Sequence, residues 1–196
     1  MKTVLLRSFL VLVFLGLLPV SCCRQATRDY VYLKAMDLGL ADDAGKPLTS
    51  GARTSAAELR ATLRFQLDFV AQGSAGSPFI GPAQALQCAD EGTKGLKSEV
   101  TEVVLTSTGL FNGRAAGQSL NSFVSCSVEN SRAEFPLSQL PDSLKTKTWQ
   151  LYRLNSSIVL RISPKPADNA RQQFQIRLRL ANAQELTQST PDVIWN

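Results

Sequence analysis

Apolar and polar residues alternate with a period of two along much of the chain. From Thr62 to Ala71, Leu63, Phe65, Leu67, Phe69 and Ala71 interleave with Thr62, Arg64, Gln66 and Asp68. Near the end, Phe174, Ile176, Leu178 and Leu180 interleave with Gln175, Arg177 and Arg179. Such alternation predicts half-buried strands of antiparallel sheets with one wet face. Ile158, Leu160 and Ile162 repeat the pattern, as do Trp149, Leu151 and Arg153 more weakly. Tyr30–Leu40 begins as a strand, and Val100–Thr106 is rich enough in β-formers to be buried on both faces. Val193–Trp195 is expected to close the chain as a short strand. About seven strands predict an all-β fold, an antiparallel two-sheet sandwich of immunoglobulin-like type. A small barrel is the alternative.

The connections are rich in Gly, Pro, Ser and Asp: Ala41–Ser55, Gln72–Pro82, Ser163–Ala170 and Asn182–Gln184. Ser163–Asn169 suits the extended loop of a hairpin joining the strands on either side. No segment carries a sustained 3.6-residue stripe. Ser119–Val124 and Ser138–Leu144 predict a helical turn or two each, and Thr54–Leu59 predicts the start of a short helix.

The first residues follow a different rule. Lys2 and Arg7 precede Phe9–Leu18, ten residues that are all apolar or Gly. This is the layout of a secretory signal peptide, and the run is shorter than the ~20 residues that span a bilayer. Leu18-Pro19-Val20-Ser21-Cys22 resembles a bacterial lipobox, in which the thiol is diacylated and becomes the new N-terminus. Pro19 stands where an aliphatic residue is usual. Cys23 is the second choice, less suited because Cys22 would then precede the cut. The expected organisation is a lipoprotein signal peptide over 1–21, an anchor and short tether over 22–29, and one β-domain over 30–196. A plain secretory peptide is the competing reading.

Charge and composition then remove whole classes of function. The chain of 196 residues has a net charge of +5, but removing Lys2 and Arg7 leaves 19 basic against 16 acidic residues. That balance offers no concentrated basic face for nucleic acid. The expected membrane contact is the lipid, each buried CH₂ contributing about 0.8 kcal/mol. Histidine is absent, which excludes Ser-His-Asp and Cys-His nucleophiles and the commonest zinc ligand. No phosphate loop, dinucleotide fingerprint or Ser-x-x-Lys spacing occurs, so no cofactor and no metal are expected. The acid pairs Asp42-Asp43 and Asp90-Glu91 read as solvated loop residues.

Cys88 and Cys126 lie in the body of the chain. In an oxidising compartment they are expected to form a disulfide, worth about 4 kcal/mol in the chain-entropy model. Two separately buried thiols are the alternative. Arg64, Arg153, Arg161, Arg177 and Arg179 sit at outward positions of strands. If they share a face, they make a cationic surface for anionic lipid or acidic glycan; otherwise they cover apolar neighbours on ordinary sheet faces. Trp149 is expected in the core and Trp195 exposed at the end of the chain.

Gly95–Ser107, then Phe111 and Gly117-Gln118-Ser119-Leu120-Asn121, carry a resemblance. In order and composition they resemble a domain-of-unknown-function family of Bacteroidota lipoproteins. There, a Cys precedes a Gly/Lys loop, a β-rich strand and a Ser-Leu-Asn turn. Cys88, Ser119-Leu120-Asn121 and the Phe174–Leu180 strand fit that order. The resemblance implies an exported, lipid-anchored β-domain and no catalytic residues. It also makes Asp142-Ser143-Leu144 resemble the O-glycosylation acceptor of that phylum, with Ser143 the acceptor. Surface-exported relatives carry acids just after the acylated Cys, whereas here Arg24 and Arg28 follow it. The expected location is therefore the outer membrane, facing the periplasm.

The function these features predict is a non-enzymatic binding or structural module of the envelope. Its partner would be an envelope glycan, lipid or protein. A carboxylate-dependent hydrolase acting on glycans is the competing class, for which only the residue inventory leaves room.

Overall fold

The computed structural model describes residues 30–70, 94–129, 131, 133–145 and 157–196. The fold is all-β, a sandwich of immunoglobulin-like type. One sheet has five strands in the order β1 (Val31–Ala41), β3 (Leu59–Phe69), β7 (Ile158–Ile162), β5 (Val124–Val128) and β6 (Glu134–Pro136). Another has β9 (Phe174–Leu180) between β10 (Glu185–Ser189) and β4 (Val100–Ser107). A small third sheet places β11 (Val193–Trp195) between β2 (Ala52–Thr54) and β8 (Arg171–Gln172). All pairings within the two larger sheets are antiparallel, while β2 and β11 run parallel.

The alternation in the sequence is the alternation of burial. In β9, Phe174, Ile176 and Leu178 have no exposed surface, while Gln175, Arg177 and Arg179 face water. In β3, Leu59, Ala61 and Leu63 are buried between the more open Arg60, Thr62 and Arg64. The inward residues of both larger sheets join one core with Leu137, Leu140 and Leu144. Those leucines come from a 3-10 turn at Leu137–Gln139 and the short helix that follows it at 140–145, where a helical turn was predicted. Burying such side chains contributes about 1.5–3 kcal/mol each.

Two edges of the sheets are closed by local chemistry. At the edge of β4, Asn121 stands in for a neighbouring strand. Its Oδ1 accepts from the Leu105 N–H at 3.0 Å, and its Nδ2 donates to the Val103 carbonyl at 2.8 Å. The Leu120 N–H donates to the Leu105 carbonyl at 2.7 Å. The Ser119-Leu120-Asn121 turn thus occupies hydrogen-bonding groups that would otherwise invite another chain. At the far edge of the five-stranded sheet, β6 is only three residues long and ends in Pro136, which has no N–H to offer.

Several expectations are corrected. There are eleven strands among the described residues rather than seven. The Ser163–Asn169 segment is not a hairpin loop. It carries the chain from β7 in one sheet to β8 and β9 in the others, because the inward faces of β7 and β9 belong to opposite walls of the core. Thr54–Leu59 starts no helix: Thr54 pairs with Trp195, and the Asn196 N–H donates to its carbonyl. That pairing holds the chain extended. β4 is not buried on both faces, since Thr101 and Glu102 are exposed where the sheet meets water.

Trp195 is fully buried rather than exposed. Its indole N–H donates to the Ala56 carbonyl at 2.7 Å. Its ring lies 6.2 Å from Phe111 and 6.5 Å from Phe174, and Phe111 in turn meets Phe123 edge-on at 5.4 Å. Trp149 lies outside the described residues, as does the weak strand around Leu151.

Candidate functional site

The described arginines of the expected cationic surface do not share one face. Arg64 and Arg161 point outward from the five-stranded sheet, Arg177 and Arg179 from the sheet of β9. Arg153 lies outside the described residues. Each wall also balances its own charge. Arg64 stands opposite Asp37, and its charge helps hold the Glu129 carboxyl below the usual range, after the larger effects of hydrogen bonds from the Ser157 hydroxyl and N–H. Arg161 stands opposite Arg60, a like-charge pair relieved because Arg161 meets Glu134 and Arg60 meets Glu58 at 3.0 Å. Arg179 sits between Glu102 and Glu185 in register. Exposed pairs of this kind contribute about 0–1 kcal/mol. Among the described residues they make mixed-charge walls.

Cys126 faces the core from β5 with 1% of its surface exposed, and it is a free thiol. The bridge to Cys88 is therefore not made in this structure; Cys88 lies outside the described residues. Burial among apolar neighbours pushes the Cys126 thiol up to about 12. A thiol held neutral is a poor nucleophile, so Cys126 behaves as a small core residue. The folded protein is expected to leave Cys126 unmodified by a water-soluble thiol reagent at pH 8, whereas urea should expose it. Mass-mapped labelling of that residue under the two conditions checks this, and equal labelling would count against its burial.

Cys22 and Cys23 also lie outside the described residues. Ser143 lies half-buried in the 140–145 helix. Asp42 and Asp43 serve their own loop: Asp42 accepts from the Lys46 N–H at 2.8 Å and Asp43 from the Ala57 N–H at 3.3 Å.

The structure assembles a different site, which the sequence did not single out. An open depression of about 580 Å³ is lined by Thr108, Gly109, Asn169, Arg171, Gln172, Gln173 and Asp192. Its floor is rigid. Gln172 is fully buried; its Nε2 donates to the Leu110 carbonyl at 2.9 Å and the Asn169 carbonyl at 2.6 Å, and its Oε1 accepts from the Ser107 hydroxyl. Gly109 packs so closely that a Cβ there would meet Asn169 Nδ2 at 2.4 Å and the Arg171 carbonyl at 2.8 Å. The loop above is braced by Asp168, which accepts from the N–H groups of Gly113 at 2.7 Å and Asn112 at 3.0 Å. Those bonds, the Gly113 one foremost, hold the Asp168 carboxyl below its usual range. Asn112 itself has a φ of 46°, a left-handed conformation that Asn tolerates better than most residues.

At the mouth, Asp192 accepts from the Ser50 hydroxyl and, at 3.0 Å, from Arg171. These two donors, the Ser50 hydroxyl first, lower the Asp192 carboxyl below its usual range. Asn169 fixes the Arg171 backbone from both sides, accepting from its N–H at 3.1 Å and donating to its carbonyl at 2.9 Å. One signal for this site was present in the sequence. Extending the Phe174–Leu180 alternation one step back places Gln172 on the buried side, where a polar residue needs partners. Nothing in sequence spacing linked it to Ser50 or Asp192.

Comparison of the chain with family models, with curated proteins and with solved structures finds no match.

Proposed function

We propose that this chain is a lipid-anchored envelope protein whose β-domain is a non-enzymatic binding module. Residues 1–21 serve as the lipoprotein signal peptide, Cys22 carries the lipid, and residues 22–29 tether the domain. The anchor rests on the short apolar run and on Ser21-Cys22 directly behind it. The binding role rests on one observation: among the described residues the depression holds a single carboxylate, Asp192, already engaged by Ser50 and Arg171. Glycoside hydrolysis needs two carboxyls about 5–9 Å apart across the scissile bond. A lone carboxylate held ionised by two donors is suited to accepting hydrogen bonds from a ligand instead. The Bacteroidota lipoprotein resemblance agrees with this reading, and Arg24 and Arg28 favour a domain facing the periplasm.

Expression in a bacterium fed radiolabelled palmitate tests the anchor. The full chain is expected to incorporate label and to partition into detergent, Cys22→Ala to lose both, and Cys23→Ala to keep both. Label retained by Cys22→Ala would move the anchor to another residue, and no label on the full chain would remove it. Protease added to intact cells is expected to leave the domain uncut, and digestion would place it on the outer surface.

A further inference from the structure

The same depression has the chemistry to recognise a particular ligand class, an inference that rests on the binding-module reading. We propose that it binds a neutral saccharide, with adjacent hydroxyls of one sugar ring spanning Arg171 and Asp192. Four separate stretches of chain, around residues 50, 108, 171 and 192, converge on this mouth. All are tied to one another by hydrogen bonds rather than left to move independently. Ser50 holds the Asp192 carboxylate and Asn169 the Arg171 backbone, and the carboxylate in turn holds the guanidinium in the same lining.

That pair is only partly used. A guanidinium has five N–H donors, and Arg171 gives one nitrogen to Asp192 while its side chain stays 75% exposed. Asp192 retains lone pairs beyond those taken by Ser50 and Arg171. The mouth therefore presents donors and acceptors side by side with no net charge. A phosphate or carboxylate ligand would meet Arg171 but be repelled by Asp192. A hydroxyl both donates and accepts, so two neighbouring hydroxyls can satisfy the pair together. Thr108 and Gln173, whose Nε2 donates to the Thr190 carbonyl at 3.1 Å, add polar groups to the lining. The volume falls within the range of small-molecule sites.

The test uses the full chain purified in detergent and ¹H–¹⁵N NMR titration. Glucose, galactose and N-acetylglucosamine are the neutral probes, and inorganic phosphate and glucuronate the anionic ones. At least one neutral sugar is expected to shift the amides of Thr108, Gly109 and Gln173 saturably at millimolar concentration. Arg171→Ala and Asp192→Asn should each weaken it by about tenfold or more, and Arg177→Ala, on the outer wall, should not. Thr108→Trp fills the mouth from an exposed position without touching the ion pair, and should also abolish the shifts. Silence from all three sugars at tens of millimolar, binding that survives these variants, or binding of phosphate or glucuronate alone would each overturn the proposal. A protein that takes up palmitate label yet ignores sugars would leave the anchor standing and remove this site. Sugar binding without label would do the reverse.

Discussion

Trp195→Ala is expected to cost about 3–5 kcal/mol of folding stability, a large share of the 5–15 kcal/mol typical of a domain. Trp195 packs against both Phe111 and Phe174, which also meet each other edge-on, and has no exposed surface. Removing the indole leaves a void that the surrounding strands cannot easily close. β11 lies between β2 and β8, so its backbone is pinned by partners on both sides while its side chain is deleted. The Ala56 carbonyl also loses its indole donor. Urea unfolding of the full chain, followed by tryptophan-independent circular dichroism, reads the loss as a lowered midpoint. Trp195→Phe should recover most of it, because a smaller ring still occupies the cluster. A loss below about 1 kcal/mol for the alanine variant would show that the aromatic cluster is not where stability resides.

Gln172→Leu is expected to cost about 2–4 kcal/mol although it makes a buried residue more apolar. The leucine would fit the volume and strand three groups. The Leu110 and Asn169 carbonyls lose their donor, and the Ser107 hydroxyl loses its acceptor. Leaving a buried polar group unsatisfied costs about 1–3 kcal/mol, whereas removing both partners costs far less. Ser107 has a fallback, since it lies 3.4 Å from the Gln173 carbonyl and also accepts from the Gly109 N–H. Adding Ser107→Ala to Gln172→Leu should therefore lose less than the sum of the two single changes. Strict additivity in urea unfolding would show that the pair is uncoupled.

The walls of the sandwich were legible because period-two alternation is a direct image of one buried face. β3, β7 and β9 lie where that pattern predicts them. β10 escaped because its residues are nearly all exposed, with only Leu186 half-buried. A strand that lends one edge to a neighbour and buries little writes no pattern. β2, β6 and β8 are two or three residues long, too short to show any period. The site was hidden for a related reason. Ser50, Asn169, Arg171 and Asp192 read singly as ordinary loop residues, and only tertiary pairing brings them to one mouth. Trp195 was misplaced because chain ends usually fray, whereas here the Ala170 and Thr54 carbonyls accept from the N–H groups of Trp195 and Asn196.

The parallel pairing of β2 with β11 has a kinetic consequence. Ala52 meets Val193, so the contact closes a ring of about 140 residues at an entropic cost on the order of 4 kcal/mol. Contacts so distant in sequence form slowly. A chain made from its N-terminus holds β2 long before its partner β11 exists. Closure of the β2–β11 pairing, rather than collapse of the walls, is therefore expected to be the late step in acquiring protease resistance.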